Sequence, residues 1–164
     1  MNTNIQEFLG QTLYLDTMIP YALLRGIEPE AKTLFDRIQN GDFTAYTSAL
    51  TFDELAYRLI LALIRDHYKG SPLEKLRQEE KMMIQQFYPK AAPELRRLRR
   101  FPNLVVVEID ASDIDTMDEM ILNYHLKPRD GLHLSAMKKV GCFDLLSNDA
   151  DFDRVSIVHR YVLK

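Results

Sequence analysis

The stretch Thr12-Leu13-Tyr14-Leu15-Asp16-Thr17 decides the fold. A short, β-prone and mostly apolar run breaks at an acid, after which residues 17–24 can open a helix. Strand, carboxylate, helix is the first unit, and related units come after it. Residues 43–47 read as a second strand, with a helix from Thr51 that carries Glu54 three residues on. Leu104-Val105-Val106-Val107 is continuous and β-branched, as in a strand buried on both faces. Residues 143–146 form another strand and 156–158 the last. Strands alternating with helices predict an α/β protein with a central parallel sheet, crossover connections and helices on its flanks. The carboxyl ends of such strands open onto one crevice where ligands bind. Acids far apart in sequence are thereby drawn to one rim.

Between these strands the helices are marked by their ends. Pro29 opens one that carries Ala31, Leu34, Phe35 and Ile38 at helical spacing and closes at Gly41. The segment 55–64 is apolar on nearly every face, so it needs cover on more than one side, from the sheet and a partner helix or from a second copy of the chain. Gly70, Ser71 and Pro72 break and restart the helix, and Pro89 and Pro93 punctuate its continuation. The region reads as a helical hairpin inserted mid-chain. Residues 112–125 form a helix with Ile114, Met117, Ile121 and Leu122 inward, and Pro128 opens another that Gly141 closes.

At 164 residues the chain is read as one domain, 1–164, large enough for a real core. One cysteine, Cys142, excludes an internal disulfide and leans toward a reducing compartment. The start shows no basic stretch before an apolar run, and the aliphatic run 59–64 is too short to span a bilayer, so no membrane is expected and the cytoplasm is. The net charge of −3 conceals a segregation: residues 58–100 hold 11 Lys and Arg against five Asp and Glu, so +6, which leaves −9 elsewhere. Either this is a solvated helical surface or the basic middle meets a polyanion.

Asp16, Glu54, Asp130 and Asp149 each have a purely local account. Asp16 can cap a helix. Thr51 and Glu54 match a capping box. Asp130 suits the dipole of a first helical turn, and Asp149 suits the turn-like Ser147-Asn148-Asp149-Ala150-Asp151. Four caps need share no location, however, whereas a metal site requires that the strand ends meet, and the placement of these four satisfies that requirement. Converging carboxylates resist ionising together unless a cation neutralises them. Oxygen-only ligation selects Mg²⁺ or Mn²⁺ over zinc. Asp151 and Asp153 read as a local cap and a supporting group. The histidines show no paired zinc spacing, and His133 reads as a packed or capping residue. The six glycines form neither a G-x-G-x-x-G turn nor a P-loop.

Leu13-Tyr14-Leu15-Asp16-Thr17, Thr51-Phe52-Asp53-Glu54-Leu55, Pro128-Arg129-Asp130-Gly131-Leu132-His133-Leu134-Ser135-Ala136 and Leu146-Ser147-Asn148-Asp149-Ala150-Asp151-Phe152-Asp153 occur in that order. Together they resemble a PIN-domain nuclease over essentially the whole chain, and in particular the VapC-type toxin ribonucleases. Two positions depart from the family's habit: Met18 stands where a polar Asn or Ser is usual, and Gly131 where Ala is commoner. The resemblance implies a PIN-like parallel sheet, Mg²⁺- or Mn²⁺-dependent cleavage of RNA, a homodimer and a small antitoxin partner. It assigns Asp16, Glu54, Asp130 and Asp149 to a catalytic metal site: Asp16 and Asp130 for the principal ion, Glu54 for its water, Asp149 for a second ion. Ser147 would orient a carboxylate, with Asp153 behind it. Lys69, Arg96, Arg97, Arg99 and Arg100 would grip phosphates. An RNA-processing PIN nuclease, a non-catalytic PIN-like interaction module and a phospho-accepting protein built on Asp16 are the competing readings.

Overall fold

The computed structural model describes residues 3–164. Its strands are β1 Thr3–Asn4, β2 Thr12–Leu15, β3 Thr44–Ser48, β4 Leu104–Val107, β5 Asp144–Leu146 and β6 His159–Val162. They form one six-stranded parallel sheet in the order β1-β6-β5-β2-β3-β4. The helices are α1 Met18–Arg25, α2 Pro29–Asn40, α3 Ala49–His67, α4 Pro72–Gln78, α5 Glu80–Arg99, α6 Ser112–Tyr124 and α7 Pro128–Val140. The α/β architecture expected from the alternation is the one present.

Near the middle of the sheet, β2 organises both layers through the two-residue alternation of a strand. Leu13 and Leu15 pack in one cluster with Ile19 of α1, Leu34 of α2, Leu55 of α3 and Leu95 of α5. Tyr14 points the other way, into a cluster with Met120 of α6 and Leu134 and Met137 of α7. In the ladder Leu15 stands opposite Leu146 and Tyr14 opposite Tyr46. The chain therefore leaves β2 and β5 at the same height, with Asp16 N donating to the Leu146 carbonyl at 3.1 Å.

The inserted hairpin is α4 and α5, which return along α3. Ile60 and Ile64 of α3 meet Leu76 of α4 and Met83 and Phe87 of α5 in a third, smaller cluster. The cover that the 55–64 run demands thus comes from the chain's own hairpin, leaving Tyr57 as the exposed large residue of that run. Most of this helix is covered without a second copy of the chain.

Several sequence expectations are corrected. Pro89 and Pro93 do not interrupt α5, which is continuous over 20 residues. Both face solvent, four apart, so the carbonyls they leave without a donor can be hydrated, while Met83, Phe87, Ala91, Leu95 and Leu98 hold the opposite face down. The last strand lies at His159–Val162 and not at 156–158, because Val158 N turns back to the Val155 carbonyl before His159 N pairs with Phe143 O. Val105 is 44 % exposed, since β4 is an edge strand rather than a central one. Ile114 and Leu122 of α6 are exposed, whereas Asp113 is buried. Asp113 is drawn inward by Ser135 Oγ at 2.6 Å and Lys139 Nζ at 2.6 Å, which rotates the helix off its apolar stripe. No described helix is long and apolar enough to cross a membrane.

Gly131 is dictated by packing between two helices. A Cβ on Gly131 of α7 would lie 3.1 Å from Met117 Cγ, 3.2 Å from Ile121 Cγ1 and 3.3 Å from the Met117 carbonyl oxygen of α6. The departure from alanine at this position is thus matched by a close α6–α7 approach.

Phe87 is fully buried in the hairpin cluster. Phe87→Ala is expected to cost about 3–5 kcal/mol, read as a lower urea midpoint; an unchanged midpoint would show that the hairpin contributes nothing to the fold.

Candidate active site

Asp16, directly after β2, is fixed through both oxygens: Oδ1 accepts from Thr17 N at 2.7 Å and Oδ2 from Ser147 Oγ at 2.6 Å. Ser147 comes directly after β5, so the sheet register itself brings this donor to the carboxylate. Its Oγ in turn accepts from Asp149 N at 3.0 Å. Asp149 caps the 3₁₀ turn Ala150–Arg154 by accepting from Asp151 N at 2.8 Å.

Glu54 lies in the second turn of α3, pointing back to the same rim. Its Oε1 accepts from the Thr17 hydroxyl and from His133 Nε2, both at 2.9 Å. Thr51 does not form the expected capping box: α3 begins at Ala49, and the buried Thr51 hydroxyl pairs with that of Thr47 at 2.7 Å. That leaves Glu54 free for the rim. Burial works to raise the Glu54 pKa, but the hydrogen bond and charge of His133, the Thr17 hydroxyl and the Arg129 charge together hold it below the usual range. A carboxylate only accepts, so His133 Nε2 carries the proton in that bond. On the other side of the ring, His133 Nδ1 lies 2.9 Å from the Tyr14 hydroxyl. Burial pushes the Tyr14 phenol far above its usual pKa, so it stays an O–H beside this nitrogen. One buried histidine on α7 thereby links β2 to α3.

Sequence reasoning passed over His133 as packing. The available signal was its position three residues after Asp130, on the same face of one helix, with Tyr14, an inward residue with a polar tip, in the facing strand.

Asp130 occupies the first turn of α7. Its Oδ2 is the one buried side-chain polar atom without a hydrogen-bond partner among the described residues. Burial first, then the Asp149 charge, push its pKa up to about 6, against the partly compensating charge of Lys127. Oxygens of Asp130, Asp149 and Asp151 lie within 4.8 Å of one another, close enough for one cation. Asp151, expected to be a local cap, lies within reach of the same ion as Asp130 and Asp149. Lys127 was also passed over; its Nζ lies 2.7 Å from Asp151, 3.8 Å from Asp149 and 4.0 Å from Asp130.

Glu54, Asp130 and Asp149 open onto a cleft of about 500 Å³ lined also by Arg58, Lys127, Pro128 and Arg129. Its cations are Arg58, Lys127 and Arg129, the last lying 3.9 Å from Glu54. The other basic residues singled out from sequence line no part of it. Arg97 pairs with Glu94 and Arg99 stacks over Phe52. Arg96 and Arg100 stand exposed at the end of α5, and Lys69 lies beyond the far end of α3, about 20 Å along the helix from Glu54. Asp153 is bound to Arg160 at 2.7 and 2.8 Å, and Arg160 donates to the Ser147 carbonyl at 3.0 Å. Asp153 thus stands three hydrogen-bonded links behind Asp16, through Arg160 and Ser147.

A parallel sheet with four acids meeting at its carboxyl rim defines a class, and comparison gives it a name. The profile of the PIN domain matches residues 13–158; the chain belongs to the PIN domain family. Comparison with curated proteins found no match. Among solved structures, the chain resembles Mycobacterium tuberculosis VapC20, described as a sarcin–ricin-loop-cleaving toxin, with 17% identity and a TM-score of 0.60 over 89% of this chain and 96% of that one. It also resembles a chain of VapBC2 from Rickettsia felis bound to a promoter DNA fragment, with 13% identity and a TM-score of 0.57 over 93% and 99%. A third likeness is to a toxin–antitoxin complex from Klebsiella pneumoniae, with 17% identity and a TM-score of 0.53 over 90% and 95%. At these identities the likeness is one of fold.

The geometry carries two expected outcomes. Tyr14→Phe leaves His133 Nδ1 with only the Ser48 hydroxyl, 3.5 Å away, as a buried partner and is expected to cost about 1–3 kcal/mol in urea unfolding; no loss would mean that Ser48 satisfies the ring. The raised Asp130 pKa favours folding of the metal-free protein below the ordinary value of 3.8, and this contribution is lost as pH rises through about 6. Metal-free Asp130→Asn should accordingly gain in melting temperature relative to wild type between pH 4 and pH 7. A constant difference would contradict the burial of this carboxyl.

Proposed function

We propose that this protein is a Mg²⁺- or Mn²⁺-dependent endoribonuclease acting in the cytoplasm as the toxin of a toxin–antitoxin pair. The observation that carries the metal reading is Asp130 Oδ2, buried and without a donor beside the Asp149 charge. An all-oxygen donor set that raises its own pKa fits a hard divalent cation. In this reading Asp130, Asp149 and Asp151 hold the ion with Asp16 at their side, and the chemistry such an ion supplies is a polarised attacking water and relief of charge on the leaving oxygen.

The chain's own residues divide the remaining work. Ser147 keeps Asp16 oriented, and Asp153 steadies Ser147 through Arg160. Glu54 orients the attacking water by accepting its hydrogen bond; a carboxylate whose pKa is held below the usual range is a weak proton acceptor and still accepts a hydrogen bond. Arg58, Lys127 and Arg129 grip the phosphates beside the scissile bond. Arg96, Arg97, Arg99, Arg100 and Lys69 are left to contacts on RNA that extends beyond the cleft.

RNA as substrate rests on the likeness to VapC20, and a small antitoxin partner on the complexes from Rickettsia and Klebsiella. A homodimer belongs to the same reading. The test is incubation of the purified protein with structured RNAs in Mg²⁺, Mn²⁺ or EDTA, alongside Glu54→Gln and Asp130→Asn. Each substitution is expected to lower cleavage by about 10²-fold or more, and EDTA to abolish it. Cleavage that persists equally in EDTA and in both variants would remove the proposal.

A further inference from the structure

Lys127 is the residue before Pro128, and its extended backbone, with φ −71° and ψ 155°, is what a proline at the next position imposes. The anchor is therefore stiff while the side chain, 68 % exposed, is free to swing. Its ammonium nonetheless returns to the acids, bonding Asp151 Oδ2 at 2.7 Å and approaching Asp149 Oδ2 at 3.8 Å and Asp130 Oδ2 at 4.0 Å. The last two separations are ion-pair distances and too long for hydrogen bonds. Lys127 thus offsets the charge of all three carboxylates yet leaves the buried oxygen of Asp130 unsatisfied. It occupies, incompletely, the place of a cation.

These are the same three residues whose oxygens lie within 4.8 Å of one another. A monovalent and a divalent charge within a few ångströms repel, so the two cannot share the group at full strength. Removal of Lys127 does not strand Asp151, whose Oδ1 keeps Arg154 at 2.7 Å. The exposed stem also borders the cleft together with Arg58 and Arg129. We infer that the Lys127 ammonium is an exchangeable internal cation that competes with the divalent ion for Asp130, Asp149 and Asp151 and, once displaced, contacts a phosphate of the RNA. This deepens the nuclease reading and rests on it.

The experiment measures Mn²⁺ binding to full-length protein by titration calorimetry, in wild type, Lys127→Met, Lys127→Arg and Arg154→Met. Lys127→Met keeps the aliphatic stem and removes the charge; it is expected to bind Mn²⁺ about tenfold more tightly. Lys127→Arg, which keeps the charge, should stay near wild type, and Arg154→Met, which removes a charge from the other side of Asp151, should tighten binding less. In Mn²⁺-saturated protein, Lys127→Met should raise KM for RNA by more than it lowers kcat. Lys127→Gln and metal-free melting curves guard against a folding defect in the methionine variant. Equal or weaker Mn²⁺ binding by both neutral variants overturns competition while the metal reading stands, and an unchanged KM overturns the phosphate contact. Binding by the neutral variants but not by wild type supports competition in its strongest form. If no variant binds Mn²⁺, the metal reading fails and this inference falls with it.

Discussion

The parallel register of β2 against β5 is the constraint on which the rest depends. Leu15 and Leu146 are the last residues of their strands and stand opposite each other. Asp16 and Ser147 are therefore released together, close enough for a 2.6 Å hydrogen bond. A slip by one residue would turn Leu15 and Tyr14 to the wrong layers as well as part the pair. The two large cores enforce the register, because each is filled by alternate residues of β2. Site geometry and fold stability are thus one requirement, met by the same ladder.

A second tie comes from α7. Its first turn supplies Asp130 and the next turn His133, which reaches Glu54 on one side and Tyr14 on the other. With Thr17 also donating to Glu54, the carboxylate on α3 is held by groups from two other elements. Rotation of α3 or α7 would have to break buried hydrogen bonds, so the cluster is held in place before any ligand arrives.

The sheet order needed coordinates, whereas the placement of four acids at strand ends and helix starts did not; that Asp151 rather than Asp16 or Glu54 lies within one ion's reach of Asp130 and Asp149 did. Asp16, Glu54, Asp130 and Asp149 were legible because each sits at a strand end or helix start, and in a parallel sheet those places converge. His133, Lys127 and Asp151 were harder to read, since their roles depend on contacts made across 24 to 119 residues of sequence. The prolines of α5 and the polar Asp113 of α6 misled for a related reason. Local rules penalise them, yet one pair faces water and the other residue finds Ser135 and Lys139, facts fixed only by tertiary packing.

Gly131 gives remote packing a grip on the chemistry. Asp130 is its chain neighbour, so the depth at which α7 beds against α6 also sets where that carboxyl stands. The side chain of Met117 can yield to an added methyl, but its carbonyl oxygen, 3.3 Å away, cannot without moving the helix. Lifting α7 by a few tenths of an ångström would move Asp130 relative to the Asp149 and Asp16 charges that act on it. The missing methyl works as a spacer that fixes where the residue beside it meets the other acids.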